Sequence, residues 1–331
     1  MRAQPADTRK EDAVNNLLRL IGNRLIALPI MIFGVTILTF FLMSFSPVDP
    51  AYSALGESAS PEAISAYREV PVLNDPWIVQ YGNFMAGLVQ GDMGTYGASQ
   101  ASVGDRIAAA LPITLQLTFI GLIIAVALAV LLGVISAVFR DKWPDQIIRV
   151  FSIACIATPS FWLAVLMILL FSSMLHILPA AGALPSFSSD PGGYLARMAM
   201  PAIALAVPVA GQLTRVIRTS MVEELDKDYV RTAIGAGIPR RTVIARNVLR
   251  NALITPVTVI GLKIGYLIGG AVVIEVIFNL PGMGMAIIEG VQGNYPALVQ
   301  GVTLTVAITF IVINIIVDML YILINPRIRT V

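Results

Sequence analysis

The run LPITLQLTFIGLIIAVALAVLLGVISAVF, residues 111–139, decides the class of this protein. It has no charged side chain and is longer than the roughly 20 residues that an α-helix needs to cross a bilayer. Over the whole chain of 331 residues, 57% are hydrophobic and 13% are charged, and the mean hydropathy is +0.82. A soluble domain carries about 25% charged residues. The sequence therefore predicts an all-α membrane protein.

Five further apolar stretches surround this run, each bounded by charged or turn residues. The first is too long for the apolar part of a signal peptide and no A-x-A cleavage site follows it, so we interpret it as an uncleaved span. We expect six transmembrane helices, at residues 25–45, 111–139, 147–175, 198–217, 252–278 and 298–324.

Basic residues predict the orientation of these helices. Most of the 22 lysines and arginines lie in four places: the N-terminal segment 1–24, the turn after the second span, the long loop 215–251 and the tail 325–331. Because basic loops stay in the cytoplasm, we expect both termini and the long loop there. Residues 25–324 then form one six-span domain, with residues 46–110 as an extracytoplasmic segment.

The segment 46–110 is too long to be a simple connector and has helix signals of its own. Ser60 can cap a helix that has Pro61 at its first position. Further on, Trp77, Tyr81 and Leu88 recur at helical spacing, which is typical of an amphipathic helix. We expect a small helical cap here, packed on the bundle or lying under a partner.

Single residues exclude some kinds of site. Cys155 is the only cysteine and His176 the only histidine. The sequence therefore offers neither a disulfide framework nor a metal site built from several thiolates or imidazoles. We expect Cys155 to be a packing residue and His176 to lie in a loop.

Small and ionisable residues inside the predicted spans suggest where helices meet. Gly261, Gly265 and Gly269 recur at four-residue intervals and predict a close helix–helix seam. Lys263 lies near the middle of the fifth span and Asp318 in the cytoplasmic half of the sixth. Charged groups there usually face a cavity or a partner. Lys263 could pair with Asp318, line a translocation path, or contact the interface or another subunit, and the sequence leaves these alternatives open.

The loop between the fourth and fifth spans reads RVIRTSMVEELDKDYVRTAIGAGIPRRTVIARNVLRNAL, residues 215–253. A connector of this length in a compact domain usually has a function. The pattern predicts a helix, a turn around Gly237–Pro239 and a second helix rich in arginine. Such a helical hairpin could offer a docking surface to a cytoplasmic motor. The alternative is a basic loop that binds anionic lipid.

Motifs in this loop carry a resemblance to a known family. Asp228-Tyr229-Val230-Arg231-Thr232-Ala233, followed by Gly237 and by Leu249-Arg250-Asn251-Ala252-Leu253, resembles the EAA loop of binding-protein-dependent ABC importers in its dipeptide/oligopeptide form. By position, Arg231, Thr232 and Ala233 stand where the general motif has Glu-Ala-Ala. The sequence departs from the pattern at residues 234–236, where two basic residues would be expected.

Other stretches resemble the same family in order along the chain. They are Asp49-Pro50, the run 76–81, Gly91-Asp92-Met93-Gly94, Thr158-Pro159-Ser160-Phe161-Trp162, the run 275–284 (EVIFNLPGMG) with Asn294-Tyr295-Pro296, and Gln300-Gly301. The resemblance therefore covers the chain from about residue 21 to residue 327.

The resemblance implies a type I ABC importer permease in a bacterial inner membrane. Its loop would couple to an ATPase through Asp228, Tyr229, Arg231, Thr232, Ala233, Gly237 and Arg250. The implied partners are a second permease subunit, two cytoplasmic ATPase subunits or domains, an extracytoplasmic binding protein and a peptide substrate, with no nucleic acid. The chain has no G-x-x-x-x-G-K-[ST] phosphate loop. We therefore expect a non-catalytic subunit without a cofactor, with ATP and Mg²⁺ bound by the ATPase partners.

Other functions remain open at this point. Permeases of this family also import nickel chelates, glutathione and some oligosaccharides. An ion-coupled secondary carrier would usually have repeated halves and several buried carboxylates, which this sequence lacks. An assembly or anchoring subunit without a path of its own is a further alternative.

Overall fold

The computed structural model describes residues 29–42, 51, 60–68 and 75–324. Apart from one short hairpin, the regular structure in these residues is helical. Before the hairpin lie α1 (Pro29–Leu42), α2 (Pro61–Arg68) and α3 (Trp77–Val89). The hairpin pairs β1 (Thr95–Tyr96) with β2 (Ala101–Ser102) in antiparallel register, Thr95 opposite Ser102. The expected segments 1–24 and 325–331 lie outside the described residues, as do the ends of the expected first span.

The long helices follow the hairpin. They are α4 (Val103–Val138), α5 (Trp143–Ala157), α6 (Ser160–Met167) with a π-helical continuation (Ile168–Met174), and α7 (Pro191–Leu225). Next come α8 (Asp228–Gly235), α9 (Arg240–Thr242), a π-helical turn (Val243–Val248) and α10 (Leu249–Ala252). The chain ends with α11 (Ile254–Phe278), α12 (Met283–Gln292) and α13 (Pro296–Ile324).

Length and apolar composition identify the helices that can cross a membrane. Within the described residues, α4, α7, α11 and α13 qualify, and α5 with α6 and its continuation would make a fifth span. The apolar helix α1 lies inside the expected first span but is shorter. The protein is therefore an all-α, multi-pass membrane protein, as its composition predicts.

The expected third span, residues 147–175, is two helices rather than one. Helices α5 and α6 meet at an angle of 99° at Thr158–Pro159. Pro159 has no N–H for a helical hydrogen bond, and its ring disfavours helical backbone at the residue before it. Thr158 is accordingly extended, with ψ 116°, and α6 starts afresh at Ser160 with Pro159 as its N-cap. The residues expected to form the third span are therefore divided by a sharp bend at this proline, which the apolar pattern alone does not indicate.

The described residues divide into two compact units, and the larger is built around α7. It comprises Gln116–Phe278 and the last helix from Ile313. Helices α5, α6 and α11 all pack against α7. At Gly211 the approach is so close that an added Cβ would lie 2.7 Å from Cys155 Cβ and 2.8 Å from Ser152 O. Cys155 is buried at this contact, which confirms that it is a packing residue.

The smaller unit comprises Gly22–Leu115 and Asn279–Val312. Its α3 packs against α1 through Tyr81, whose hydroxyl lies 2.8 Å from Thr36 Oγ1 and whose ring meets Phe33 and Phe40 edge-on. The amphipathic helix predicted around Trp77–Leu88 is therefore present. A second cluster buries one face of α4 against α12 and α13, through Val103, Ile107, Ala110, Met283, Ala286, Leu298 and Val302.

Of the two end glycines of the seam predicted on α11, only Gly261 lies against another helix. An added Cβ at Gly261 would lie 2.1 Å from Val317 Cγ1 on α13, whereas one at Gly269 would meet nothing within 4 Å. Gly261 thus sets the approach of these two helices, and Gly269 faces open space within this chain.

We expect Gly261→Ala to destabilise the protein by about 1–3 kcal/mol, because the β-branched Val317 cannot rotate its methyl group away freely. Gly269→Ala is the matched control and should have little effect. Thermal unfolding in detergent, followed by the reaction of the buried Cys155 with a thiol-reactive dye, measures both. Equal melting temperatures for the two variants would contradict the contact.

Candidate functional site

The loop expected to couple to an ATPase is a helical hairpin. Helix α8 begins directly after α7 ends, and its only fully buried side chain is Val230. Asp228, Arg231 and Thr232 are exposed around it, while Tyr229 is partly buried. One apolar residue thus anchors α8, and the polar side chains that the sequence assigned to coupling remain accessible.

Tyr229 ties α8 to its neighbours. Its hydroxyl donates to Glu224 Oε1 on the last turn of α7 at 2.9 Å, and the Asn251 amide of α10 lies 3.5 Å from the same hydroxyl. Lys227 forms a salt bridge with the other oxygen of Glu224. Burial raises the pKa of Tyr229, so the phenol stays protonated and remains a donor at neutral pH. The hairpin is therefore fixed to the end of α7 rather than hinged from it.

The turn of the hairpin has a glycine-dependent geometry. Ile238 N–H donates to Ala233 O at 3.1 Å and Gly237 N–H to Ile234 O at 3.0 Å, the pattern of a Schellman helix end. Gly237 has φ +83°, a conformation that residues with a side chain rarely adopt. Pro239 then caps the next helix. The expected helix–turn–helix shape around Gly237–Pro239 is confirmed.

The second arm of the hairpin carries its basic residues outward. Val243 and Val248 are buried, whereas four arginines are exposed: Arg240, Arg241, Arg246 and Arg250. Ile234 and Ile238, at the turn, are each 43% exposed. The tip of the hairpin thus exposes two isoleucines with arginines beside them. Such a tip could insert into a groove on another protein.

We expect Gly237→Ala to destabilise the hairpin by about 1–2 kcal/mol, because alanine is strained at positive φ. Gly235→Ala should be neutral or slightly stabilising, since Gly235 lies in the helix and an added Cβ there meets no atom within 4 Å. Hydrogen–deuterium exchange of residues 228–238 measures the difference. Faster exchange in the Gly235 variant than in the Gly237 variant would contradict this account.

A buried ion pair below the hairpin was not predicted from the sequence. Asp145, on the first turn of α5, is fully buried. Its Oδ1 accepts from Arg218 Nε at 2.7 Å and from Ser136 Oγ at 2.5 Å, and its Oδ2 accepts from Arg218 Nη2 at 2.6 Å and from Asp141 N at 3.0 Å. We call Asp145, Arg218 and Ser136 the carboxylate clamp.

The carboxylate clamp joins three helices at one point, since Ser136 lies on α4, Asp145 on α5 and Arg218 on α7. A second, exposed pair, Arg140–Asp226 at 2.8 Å, ties the turn after α4 to the end of α7. Asp145 looks like an ordinary acidic residue in a first helical turn. Nothing in the sequence indicates its partner 73 residues away.

Removing one partner of a buried ion pair leaves an uncompensated charge. We expect Arg218→Ala to destabilise the protein by about 3–5 kcal/mol. Arg149→Ala is the control: its guanidinium lies 3.9 Å from the same carboxylate but is half-exposed, so the loss should be about 0–1 kcal/mol. The Cys155 dye assay separates the two. Similar melting temperatures would contradict a structural role for the clamp.

Arg197 is a buried basic residue near the N-terminal end of α7. Its guanidinium donates to three backbone carbonyls, Ala180 O at 2.6 Å, Gly182 O at 3.4 Å and Phe278 O at 2.5 Å. Phe278 is the last residue of α11, so a positive charge sits where the helix dipole favours one. Arg197 therefore holds the end of α11 and the loop before α7 together.

Of the two ionisable intramembrane residues singled out in the sequence, the structure describes the side chain of Lys263 alone. Lys263 is partly buried, and its Nζ lies 5.5 Å from the centre of the Tyr266 ring. The side chain of Asp318 lies outside the described residues, so the Lys263–Asp318 pair stays a prediction.

Comparison with known proteins identifies the family. A model of the "binding-protein-dependent transport system inner membrane component" matches residues 129–330, and a model of the N-terminal part of such components matches residues 17–118. The chain belongs to this family. The resemblance inferred from its motifs is thereby confirmed, and the family's inner-membrane description agrees with the apolar helices.

Individual members of the family are similar over almost the whole chain. A Brucella abortus (strain 2308) protein, provisionally named a peptide transport system permease, is 38% identical over 303 residues, 92% of this chain and 96% of its own. A D,D-dipeptide transport system permease of Escherichia coli K12, also provisionally named, is 34% identical over 93% of this chain and 97% of its own. The glutathione transport system permease of the same strain is 35% identical over 95% and 99%.

Proposed function

We propose that this chain is the transmembrane permease subunit of an ATP-driven peptide importer. The observation that carries the proposal is a family match over residues 129–330, a region that contains the helical hairpin α8–α10. The names of the relatives support dipeptides and other short peptides as cargo. Glutathione, itself a modified tripeptide, is a second cargo, favoured by a relative of similar identity.

The proposed topology has six spans and both termini in the cytoplasm. Helix α1 would be the core of the first span, and α5 with α6 the third. The distribution of lysine and arginine supports this orientation. Residues 46–110 would then be extracytoplasmic and residues 215–251 cytoplasmic, within a permease domain of residues 25–324.

The proposed partners follow from the family description. A binding protein delivers the peptide on the extracytoplasmic side, a second permease completes the path, and two ATPase subunits or domains bind ATP and Mg²⁺. This chain itself would do no chemistry. Its hairpin would contact the ATPase and couple ATP hydrolysis to transport. The proposed coupling residues are Asp228, Tyr229, Arg231, Thr232, Ala233, Gly237 and Arg250.

The contacts of the hairpin suggest how motion would pass from the ATPase to the path. A displacement of α8 pulls on Glu224 through Tyr229, and Glu224 lies on α7. The carboxylate clamp passes the movement from α7 to α4 and α5 as one body. ATP binding and hydrolysis would thereby shift the population between inward- and outward-facing bundles.

Co-purification tests the assembly. A C-terminally tagged chain in native membranes, solubilised in mild detergent, should bring down a second permease and ATPase subunits with phosphate loops. Replacing residues 231–237 by a flexible linker should release the ATPase subunits, because the docking surface is lost. The same linker at residues 183–189, an irregular loop before α7, is the control and should leave the complex intact. Recovery of the chain alone, under conditions where control complexes survive, would contradict the importer.

A further inference from the structure

One face of α7 is polar over its last four turns. Gln212, Arg215, Thr219 and Glu223 recur at intervals of three and four residues, so they share a face of the helix. They line an open cavity of about 500 Å³, to which Ile156 of α5 and Thr255 of α11 also contribute. A cavity of this volume is in the range of small-ligand sites.

The charges in this cavity differ from the other charges on the same helix. Arg218, one turn away, is saturated by the buried Asp145. Arg215 and Glu223 are exposed to the cavity, and among the described residues neither forms a salt bridge. On the proposed topology both groups lie at the cytoplasmic end of α7, where water and polar ligands can reach them. Arg215 and Glu223 are therefore available to a ligand, while Arg218 is not.

The spacing of the two charges sets the size of that ligand. Glu223 lies eight positions after Arg215, so their Cα atoms are about 12 Å apart along a helix with a rise of 1.5 Å per residue. An extended peptide of about three or four residues covers this distance. A guanidinium binds a carboxylate through two parallel hydrogen bonds, and a carboxylate accepts hydrogen bonds from an ammonium group.

We propose that this cavity is a transient binding site for short zwitterionic peptides on the translocation path. Arg215 binds the terminal carboxylate and Glu223 the terminal ammonium group. The hydroxyls of Thr219 and Ser220 lie between them along α7, and the amide of Gln212 and the hydroxyl of Thr255 line the same cavity, so all four can form hydrogen bonds with the peptide backbone. The inference rests on the proposed peptide-import function and adds to it a site and a requirement for two free ends.

Uptake by the complete complex, reconstituted in liposomes with its binding protein, tests the site. Three forms of one tripeptide are compared: free, C-terminally amidated and N-acetylated. All are used at concentrations that saturate the binding protein, as checked by separate titration.

Arg215→Gln should lower the uptake of the free tripeptide at least about tenfold, because the charge-assisted hydrogen bonds of the guanidinium to the carboxylate are lost. The same variant should change the uptake of the amidated peptide by less than about twofold, because no carboxylate is present to be bound. Glu223→Gln should likewise lower the uptake of the free tripeptide. It should leave the uptake of the N-acetylated peptide nearly unchanged, because that peptide has no ammonium group. Lys142→Gln, at an exposed lysine outside the cavity, is the control and should treat all three peptides alike.

Thiol protection gives a readout that does not depend on turnover. In a Cys155→Ala background, Thr219→Cys should react with a charged thiol reagent, and the free tripeptide should slow the reaction more than the amide does. Ile123→Cys, on the apolar surface of α4, should stay unreactive.

The outcomes distinguish a failure of the proposed function from a failure of the proposed site. If the unaltered complex imports none of the three peptides, the proposed function fails and the site fails with it. If it imports the free tripeptide but Arg215→Gln lowers the uptake of free and amidated forms equally, only the site is overturned. A Thr219→Cys thiol as unreactive as that at position 123 would also overturn it, since that face would then contact lipid or another subunit.

Discussion

The carboxylate of Asp145 and the guanidinium of Arg218 meet in the interior of a membrane protein, where an unpaired charge would be very costly. Each therefore requires the other, and the hydroxyl of Ser136 and a backbone N–H complete the set of donors around the carboxylate. Because the partners come from α4, α5 and α7, those helices must arrive at one point with their side chains in register. An apolar contact would tolerate sliding, whereas this set of directional bonds does not.

The region around α7 is organised by this constraint. Small residues let its neighbours come close, as Gly211 does for α5 and Gly133 for the contact between α4 and Ile217. At its far end Glu224 holds Tyr229, so the hairpin continues α7 in a fixed direction. If the proposed function holds, α7 is a direct mechanical link between an ATPase bound at the hairpin and the translocation path.

Sequence reasoning reached the parts of this molecule that local patterns encode. Apolar runs located the long helices, and the order Gly237–Ile238–Pro239 located the turn of the hairpin because glycine and proline have few alternatives there. It failed where a local break was hidden in an apolar pattern, as at Pro159, and where a contact joins residues far apart. Asp145 and Arg218 each look solvated in isolation, and only the packing of α5 on α7 makes them a pair. The sequence does contain the three- and four-residue spacing of the polar face of α7. That spacing is hard to distinguish there because charged residues continue into the adjoining loop.

Arg197 affects how many basic residues are counted on each side of the membrane when the orientation is assigned. On the proposed orientation it is one of few basic residues outside the cytoplasm. Counted by sequence alone, it reduces the excess of lysine and arginine on the cytoplasmic side. Its charge, however, is shared among three backbone carbonyls, one of them at the end of α11, so little of it is offered to the membrane surface. In the folded protein Arg197 therefore joins α7, the loop before it and the end of α11, and it is almost completely buried. A count of the positive charge that the folded protein exposes on that side of the membrane should leave this residue out.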